Sequence, residues 1–253
     1  AAAKAGVAAM TAPDAGAAAA LAAKVVGLLP SNNLAGPACF DFQAPDAPFQ
    51  AGLAPDKAAA ALADAGSLME VYAGYGKNVC TAKASRFVRL CDAFSIPVVT
   101  VVDTQGFVPS SADDIAGGIR EAARLAATYA DATTARVCLL AGKAVGPVYT
   151  ALAAADLKIA VDGCLVSPLE PSAAVSVLYK EELDASDSIP AATKAKAAAY
   201  AKEVCSAAAA VAAGAADMEC APAGARPAVV AALDILRTKR AARLPKKHGN
   251  MAL

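Results

Sequence analysis

Residues Arg136 to Ala155 read RVCLLAGKAVGPVYTALAAA, and the fold turns on how this stretch is divided. Five mostly apolar residues, Arg136 to Leu140, have the length and composition of a short buried strand. The small residues Ala141-Gly142-Lys143-Ala144-Val145-Gly146 predict a turn, and the Ala/Leu-rich run beyond them predicts a helix. A strand that passes through a small-residue turn into a helix aims backbone N–H groups at one point, which suits an anion. The same geometry also makes a close-packed strand-to-helix corner with no chemistry. The stretch alone leaves both readings open.

Upstream, Ser85 can cap a helix whose apolar face is Phe87, Val88, Leu90, Cys91 and Phe94, closed by Pro97. The β-branched run Val98 to Val102 predicts a buried strand. After it, the loop Asp103 to Asp113 (DTQGFVPSSAD) places Gly and Pro where a strand end opens into a site. Asp113 and Asp114 suit the start of a helix running to about Tyr129. Downstream, Leu157 to Val161 and Cys164 to Val166 are further strand candidates. Helices are expected from Ser172 to Glu182, from Pro190 to Ala213 with Gly214 as the stop, and from Pro227 to Arg240. Helices alternating with short buried strands predict an α/β domain.

The first 84 residues read differently. A helix over Ala17 to Leu29 is stopped by Pro30, and the Pro-spaced run to Phe49 is an extended arm with turns. A short helix, Pro55 to Ala65, and a loop through Gly74, Tyr75 and Gly76 come next. Tyr72 and Tyr75 are expected to pack. The division is thus an arm and linker-like segment over 1–84, then one domain over 85–253.

The chain has 253 residues, of which 57% are hydrophobic, much of it alanine, which buries little area per residue. Such a chain favours thin, closely packed helices that lean on neighbouring subunits. Lys+Arg and Asp+Glu both total 23, so no electrostatic footprint for nucleic acid is present. Seven cysteines lack CxxC spacing, and Cys91, Cys138 and Cys164 sit inside apolar runs, which fits a reduced cytoplasmic setting. One histidine, His248, argues against a His-based triad or a multi-His metal site, and no metal is expected. No apolar run reaches the ~18 residues of a membrane span, and the Ala-rich start does not read as a signal peptide.

Several pieces together resemble the carboxyltransferase subunit of biotin-dependent acyl-CoA carboxylases and decarboxylases. They are RFVRLCDAFSIPVVTVVDTQGF (Arg86 to Phe107), the Gly-Lys-Ala turn at 142–144, ALDILRTKR (Ala232 to Arg240) and LPKKHGN (Leu244 to Asn250). LPSNNL (Leu29 to Leu34) and GSLMEVYAGYGKNV (Gly66 to Val79) are similar to the segment joining that family's two crotonase-like halves. The resemblance implies a crotonase-like (ClpP/crotonase) α/β domain with an extended N-terminal arm. It covers the biotin-side half, so the acyl-CoA-binding half is expected on another chain. Between Val79 and Ser85 the chain skips strands that relatives carry.

The same resemblance implies the chemistry. Transfer from N-carboxybiotin leaves a ureido anion that takes the α-proton of the acyl-CoA, and the enolate captures CO2. Only amide donors are then needed where charge develops. In the family a Gly-Gly-Ala turn serves biotin, and here it aligns with Gly146-Pro147-Val148. The amides of Gly146 and Val148 are thus the implied catalytic donors, and Pro147 has none. Gly106, Phe107, Ala144 and Val145 are the implied biotin-binding residues. Implied partners are biotin on a carrier protein, the chain supplying the CoA half, and an acyl-CoA, in a hetero-oligomer. The alternative is a non-catalytic structural subunit of such a complex; a stand-alone crotonase-type hydrolase or isomerase is a third reading. Lys143 could orient a ligand or be a solvated turn residue, Glu170 fits a helix-dipole role, and Lys246, Lys247 and His248 read as a solvated or subunit-bridging tail.

Overall fold

A computed structural model describes residues 12–29, 78–104, 106, 111–115 and 117–241. The expectations for Tyr72, Tyr75, Phe107, the helix at 55–65, the arm at 30–49 and the tail with Lys246, Lys247 and His248 lie outside them.

Helix α1 (Ala15–Leu28) starts at Asp14, whose carboxylate accepts from the Ala17 N–H at 2.8 Å. Helix α2 (Asn78–Ala93) begins before Ser85. Its first turns occupy the stretch from Val79 to Ser85 where the sequence reading expected strands to be skipped. Strand β1 (Val98–Thr104) comes next, then α3 (Ser111–Ile115) and α4 (Gly118–Asp131). The single helix expected from Asp113 is thus split at Gly117, whose φ of +91° is left-handed.

Strand β2 (Arg136–Val145) corrects the reading of the opening stretch. The small residues Ala141 to Val145 do not form a turn but continue the strand, and α5 (Gly146–Leu152) starts directly from its end. Strand β3 (Leu157–Val161) matches its prediction, and β4 (Leu165–Ser167) lies one residue later than expected. Helix α6 (Pro171–Leu178) has Glu170, not Ser172, at its N-cap position, because proline suits the first helical residue. It stops at Tyr179, before α7 (Lys180–Asp184).

The long helix from Pro190 is two helices, α8 (Ile189–Glu203) and α9 (Ala207–Ala212). They separate because the Cys205 carbonyl accepts from the Val166 N–H and Ser206 caps α9. Strand β5 (Met218–Cys220), which the sequence reading missed, precedes α10 (Ala225–Leu236).

The strands form one parallel sheet of order β1-β2-β3-β5, with β4 also pairing with β2. Strand β2 is its spine. Residues 137–140 pair with β3 and residues 143–145 with β4, so β3 and β4 occupy successive stretches of one edge. On the other edge, Val102 pairs with Leu140 and Thr104 with Ala144. Two steps along β1 therefore face four along β2. An insertion of two residues leaves every side chain on its original face.

Both faces are covered. Cys138, Leu140, Ala144, Ala160 and Val166 pack with Ala207 and Ala210 of α9 and with Tyr149 of α5. Val137, Leu139, Ile159 and Val161 pack under Ala225, Val229 and Ala232 of α10. A third cluster joins Val88 and Cys91 of α2 to Leu125 and Tyr129 of α4. Alanines at these contacts let the helices approach closely, as the composition implies. Among the described residues, no helix is long and apolar enough to cross a membrane.

Candidate functional site

The carboxyl ends of β1 and β2 bring together two stretches that are 40 residues apart in sequence. Gly106 lies just past β1 and Gly146 just past β2, and both have left-handed backbones, with φ of +98° and +76°. A Cβ on Gly106 would sit 3.4 Å from the Val145 carbonyl oxygen, and one on Gly146 would sit 3.5 Å from the Gly106 Cα. The two backbones therefore approach at contact distance, in conformations that side chains disfavour.

Each stretch is held locally. The Thr104 hydroxyl, 2% exposed, accepts from the Gly106 N–H at 3.1 Å. The Thr150 hydroxyl donates to the Gly146 carbonyl at 3.3 Å, within the first turn of α5. That turn is formed by Gly146, exposed Pro147 and buried Val148, and its first N–H groups have no carbonyl one turn back. Upstream, the Asp103 carboxylate accepts from the Lys143 N–H at 2.9 Å, and the Lys143 side chain is exposed.

Of the residues the sequence reading groups, Gly106 meets Val145 and Gly146, while Ala144 and Val148 flank that contact along the chain. Ala144 and Val145 are 0% and 2% exposed, so what either can give a ligand is its backbone. Phe107 lies outside the described residues. Glu170 is exposed and makes no side-chain cap to α6, whose first turn it precedes. Thr104 and Asp103 were missed. A threonine two residues before a glycine at a strand end is the signal for the first. Only the register of β1 on β2 shows the second.

Five cysteines, Cys91, Cys138, Cys164, Cys205 and Cys220, are held as protonated thiols. Burial, with the Asp92 charge beside it, pushes Cys91 up to about 12, and burial pushes Cys138 to about 12 and Cys164 to about 11. Desolvation likewise raises Cys205 and Cys220. A thiol held protonated is a poor nucleophile. The Ser167 hydroxyl, buried at the end of β4, faces the Cys205 thiol without a hydrogen bond of ordinary geometry. What the site offers is backbone amides in a fixed frame, an arrangement suited to stabilising developing negative charge.

Residues 80–251 match the carboxyl transferase domain. This chain belongs to that family. It is 35% identical over 175 residues to the methylmalonyl-CoA decarboxylase subunit alpha of Veillonella parvula, an alignment covering 68% of this chain and 33% of that one. The putative propionyl-CoA carboxylase beta chain of Bacillus subtilis (strain 168) is 37% identical over 175 residues, covering 68% and 34%. Among solved structures, transcarboxylase 12S with bound methylmalonyl-coenzyme A superposes with a TM-score of 0.82 at 26% identity. That superposition spans 94% of this chain and 54% of the other. The chain spans about a third of the length of the curated relatives it matches. The α/β, crotonase-like fold implied by the family resemblance is the fold the chain has.

Proposed function

We propose that this chain supplies the biotin-side half of a biotin-dependent acyl-CoA carboxyltransferase or decarboxylase, with the acyl-CoA held by a second crotonase-like half outside these residues. The observation that carries the reading is the contact of Gly106 with Gly146 at the carboxyl ends of β1 and β2, in a chain of the carboxyl transferase family. Neither glycine carries a side chain to stand between this backbone and a flat ureido group brought in on a carrier protein. When bound, carboxybiotin supplies the carboxyl group to be transferred.

The chain's own part is electrostatic and positional. The Gly146 and Val148 amides open α5 and are the donors placed for the ureido oxygen. Gly106 and Phe107, with the backbones of Ala144 and Val145, would line the approach. No side-chain acid or base is assigned to this half. The partners on this reading are a biotin carrier protein, the CoA-binding half and an acyl-CoA, assembled as a hetero-oligomer. Five described cysteines are free, which fits a cytoplasmic location. Because α2 runs unbroken through the boundary expected at 84/85, we assign 1–77 to an arm and linker and 78–253 to the domain.

A non-catalytic structural subunit is the second reading, and two observations favour it. Pro147 has no N–H to give, and the Gly106 N–H is already taken by Thr104. Losing one oxyanion donor typically costs ~10²–10³ in rate. The Pro147→Gly variant separates the two readings, measured as transfer from carboxybiotin at equal complex concentration. A working biotin site gives measurable wild-type transfer that rises in the variant. No transfer by either protein, in a complex that still assembles, ends the catalytic reading. Full wild-type activity that falls in the variant shows that the Gly146 turn is not the donor site.

A further inference from the structure

We propose that Asp103 is a positioning residue for the Gly146 turn, setting the Gly106–Gly146 contact through Gly142 and Lys143. The proposal rests on the biotin-side reading for its consequence in catalysis, but its geometry is independent of it. Between the Val102–Leu140 pair and the Thr104–Ala144 pair, the one residue Asp103 faces the three residues 141–143. Its carboxylate fills the space left by the missing side chain of Gly142. A Cβ there would lie 2.6 Å from Asp103 Cγ and Oδ1 and 2.9 Å from Oδ2, closer than real contacts allow. From that position Oδ1 accepts from the Lys143 N–H at 2.9 Å.

The two-residue insertion in β2 is thus folded around this carboxylate, and it leads directly into the run Ala144, Val145, Gly146. The next residue of β1, Thr104, holds the Gly106 N–H through its hydroxyl. Adjacent side chains of one strand therefore fix both partners of the contact: Thr104 fixes Gly106, and Asp103 fixes the strand that delivers Gly146. Asp103 touches no substrate on this account. It acts through the Lys143 backbone, and Gly142 is required because only glycine leaves room for it.

The test uses the chain in its full complex with the carrier and the CoA-binding half. The variants are Asp103→Ala, Asp103→Asn, Gly142→Ala and the double variant Asp103→Ala/Gly142→Ala. Displacement of a positioned group by about 1 Å costs on the order of 10²-fold. Asp103→Ala should lower kcat for carboxyl transfer by roughly 10- to 100-fold, with KM for the acyl-CoA within about twofold. Asp103→Asn keeps an acceptor oxygen and should stay within about threefold of wild type.

Gly142→Ala should fall as Asp103→Ala does, and the double variant should fall no further, because both remove one interaction. Full kcat in Asp103→Ala overturns the proposal. So does Asp103→Asn falling as far as Ala, or a double variant equal to the product of the singles. If wild type shows no transfer, the biotin-side reading fails, and amide hydrogen exchange decides the positioning role by itself. Asp103→Ala should then speed exchange of both Lys143 and Gly106 about tenfold over Asp103→Asn. Faster exchange at Lys143 with Gly106 unchanged overturns the coupling. If Asp103→Ala does not fold, Gly142→Ala carries the same measurements.

Discussion

The two ends of the parallel sheet are held by different materials. At the amino-terminal edge the fastening is charged side chains. Arg136 donates from its guanidinium to the Tyr129 and Ala154 carbonyls and pairs with Asp156 at 3.3 Å. Asp156 also accepts from the Arg136 N–H at 2.9 Å and from Lys239 Nζ at 2.8 Å. Lys239 in turn reaches the Thr134 carbonyl at 2.9 Å. Asp92, at the end of α2, accepts from the Thr133 and Thr134 N–H groups at 2.6 and 2.9 Å.

At the carboxyl edge the contact of β1 with β2 is made by glycine backbones, with one threonine hydroxyl and one carboxylate holding them. The first edge is closed by bonds within the chain, although the Arg136 Nε is buried without a partner among the described residues. The second leaves the first turn of α5 at the meeting point of two strands, where parallel sheets bind ligands. On the biotin-side reading, the difference separates a stabilising edge from a working one.

Three changes break or sharpen that contrast. The largest effect is expected from Gly146→Ala. Its Cβ meets Gly106 only at contact distance, 3.5 Å, so the damage is a left-handed alanine, roughly 1–2 kcal/mol, with a side chain set against the Gly106 backbone. Carboxyl transfer should fall by about 10²-fold or more while the chain still folds. Unchanged transfer would show that the working edge lies elsewhere.

The mirror-image change is Asp156→Ala, which leaves Arg136 and Lys239 facing each other without their shared carboxylate. Denaturant unfolding should show a loss of about 1–3 kcal/mol. Transfer at a temperature where the variant is folded should match wild type. A fall in kcat would show that the two edges are coupled.

The smallest effect is in acid. Burial pushes the Asp156 carboxyl up, but the Lys239 hydrogen bond, the Arg136 N–H and both cationic charges outweigh it and hold it below the usual carboxylate range. The group is lowered in the folded state, so its stabilisation is full above the ordinary value of about 3.9 and is lost as pH falls through the folded one. Wild type should therefore lose stability below about pH 4 more steeply than Asp156→Asn. Parallel acid curves would show that this edge contributes nothing through titration.

The contrast was only half legible in the sequence. The strands at Val98 and Leu157 announce themselves because β-branched and apolar runs bounded by Pro or Asp have few alternatives. The convergence of Gly106 with Gly146 came from glycines placed after two such strands and from the family's motif order. The run Ala141 to Val145 misled because small residues signal a turn locally, whereas here they let a strand stay paired while making room for Asp103. Strand β5 was invisible because three residues, Met218–Cys220, carry no period, and pairing with β3 decides them. The break at Cys205 is likewise tertiary, because its carbonyl is taken by the Val166 N–H, whereas the break at Gly117-Gly118 is local and the glycine pair was its signal. Asp156 and Lys239 lie 83 residues apart, and no spacing rule connects them.

Lys239 and α10 also set an order in time. A chain emerging from the ribosome completes β2, β3 and the Arg136–Asp156 pair before either exists. Until α10 arrives, Leu139, Ile159 and Val161 have no cover from Val229 and Ala232. The nascent domain therefore carries an apolar sheet face and an unfinished ion cluster from the completion of β3 until α10 and Lys239 arrive, and these close both at once. Its period of greatest exposure to aggregation and proteolysis ends with the arrival of the segment from Ala225 to Lys239.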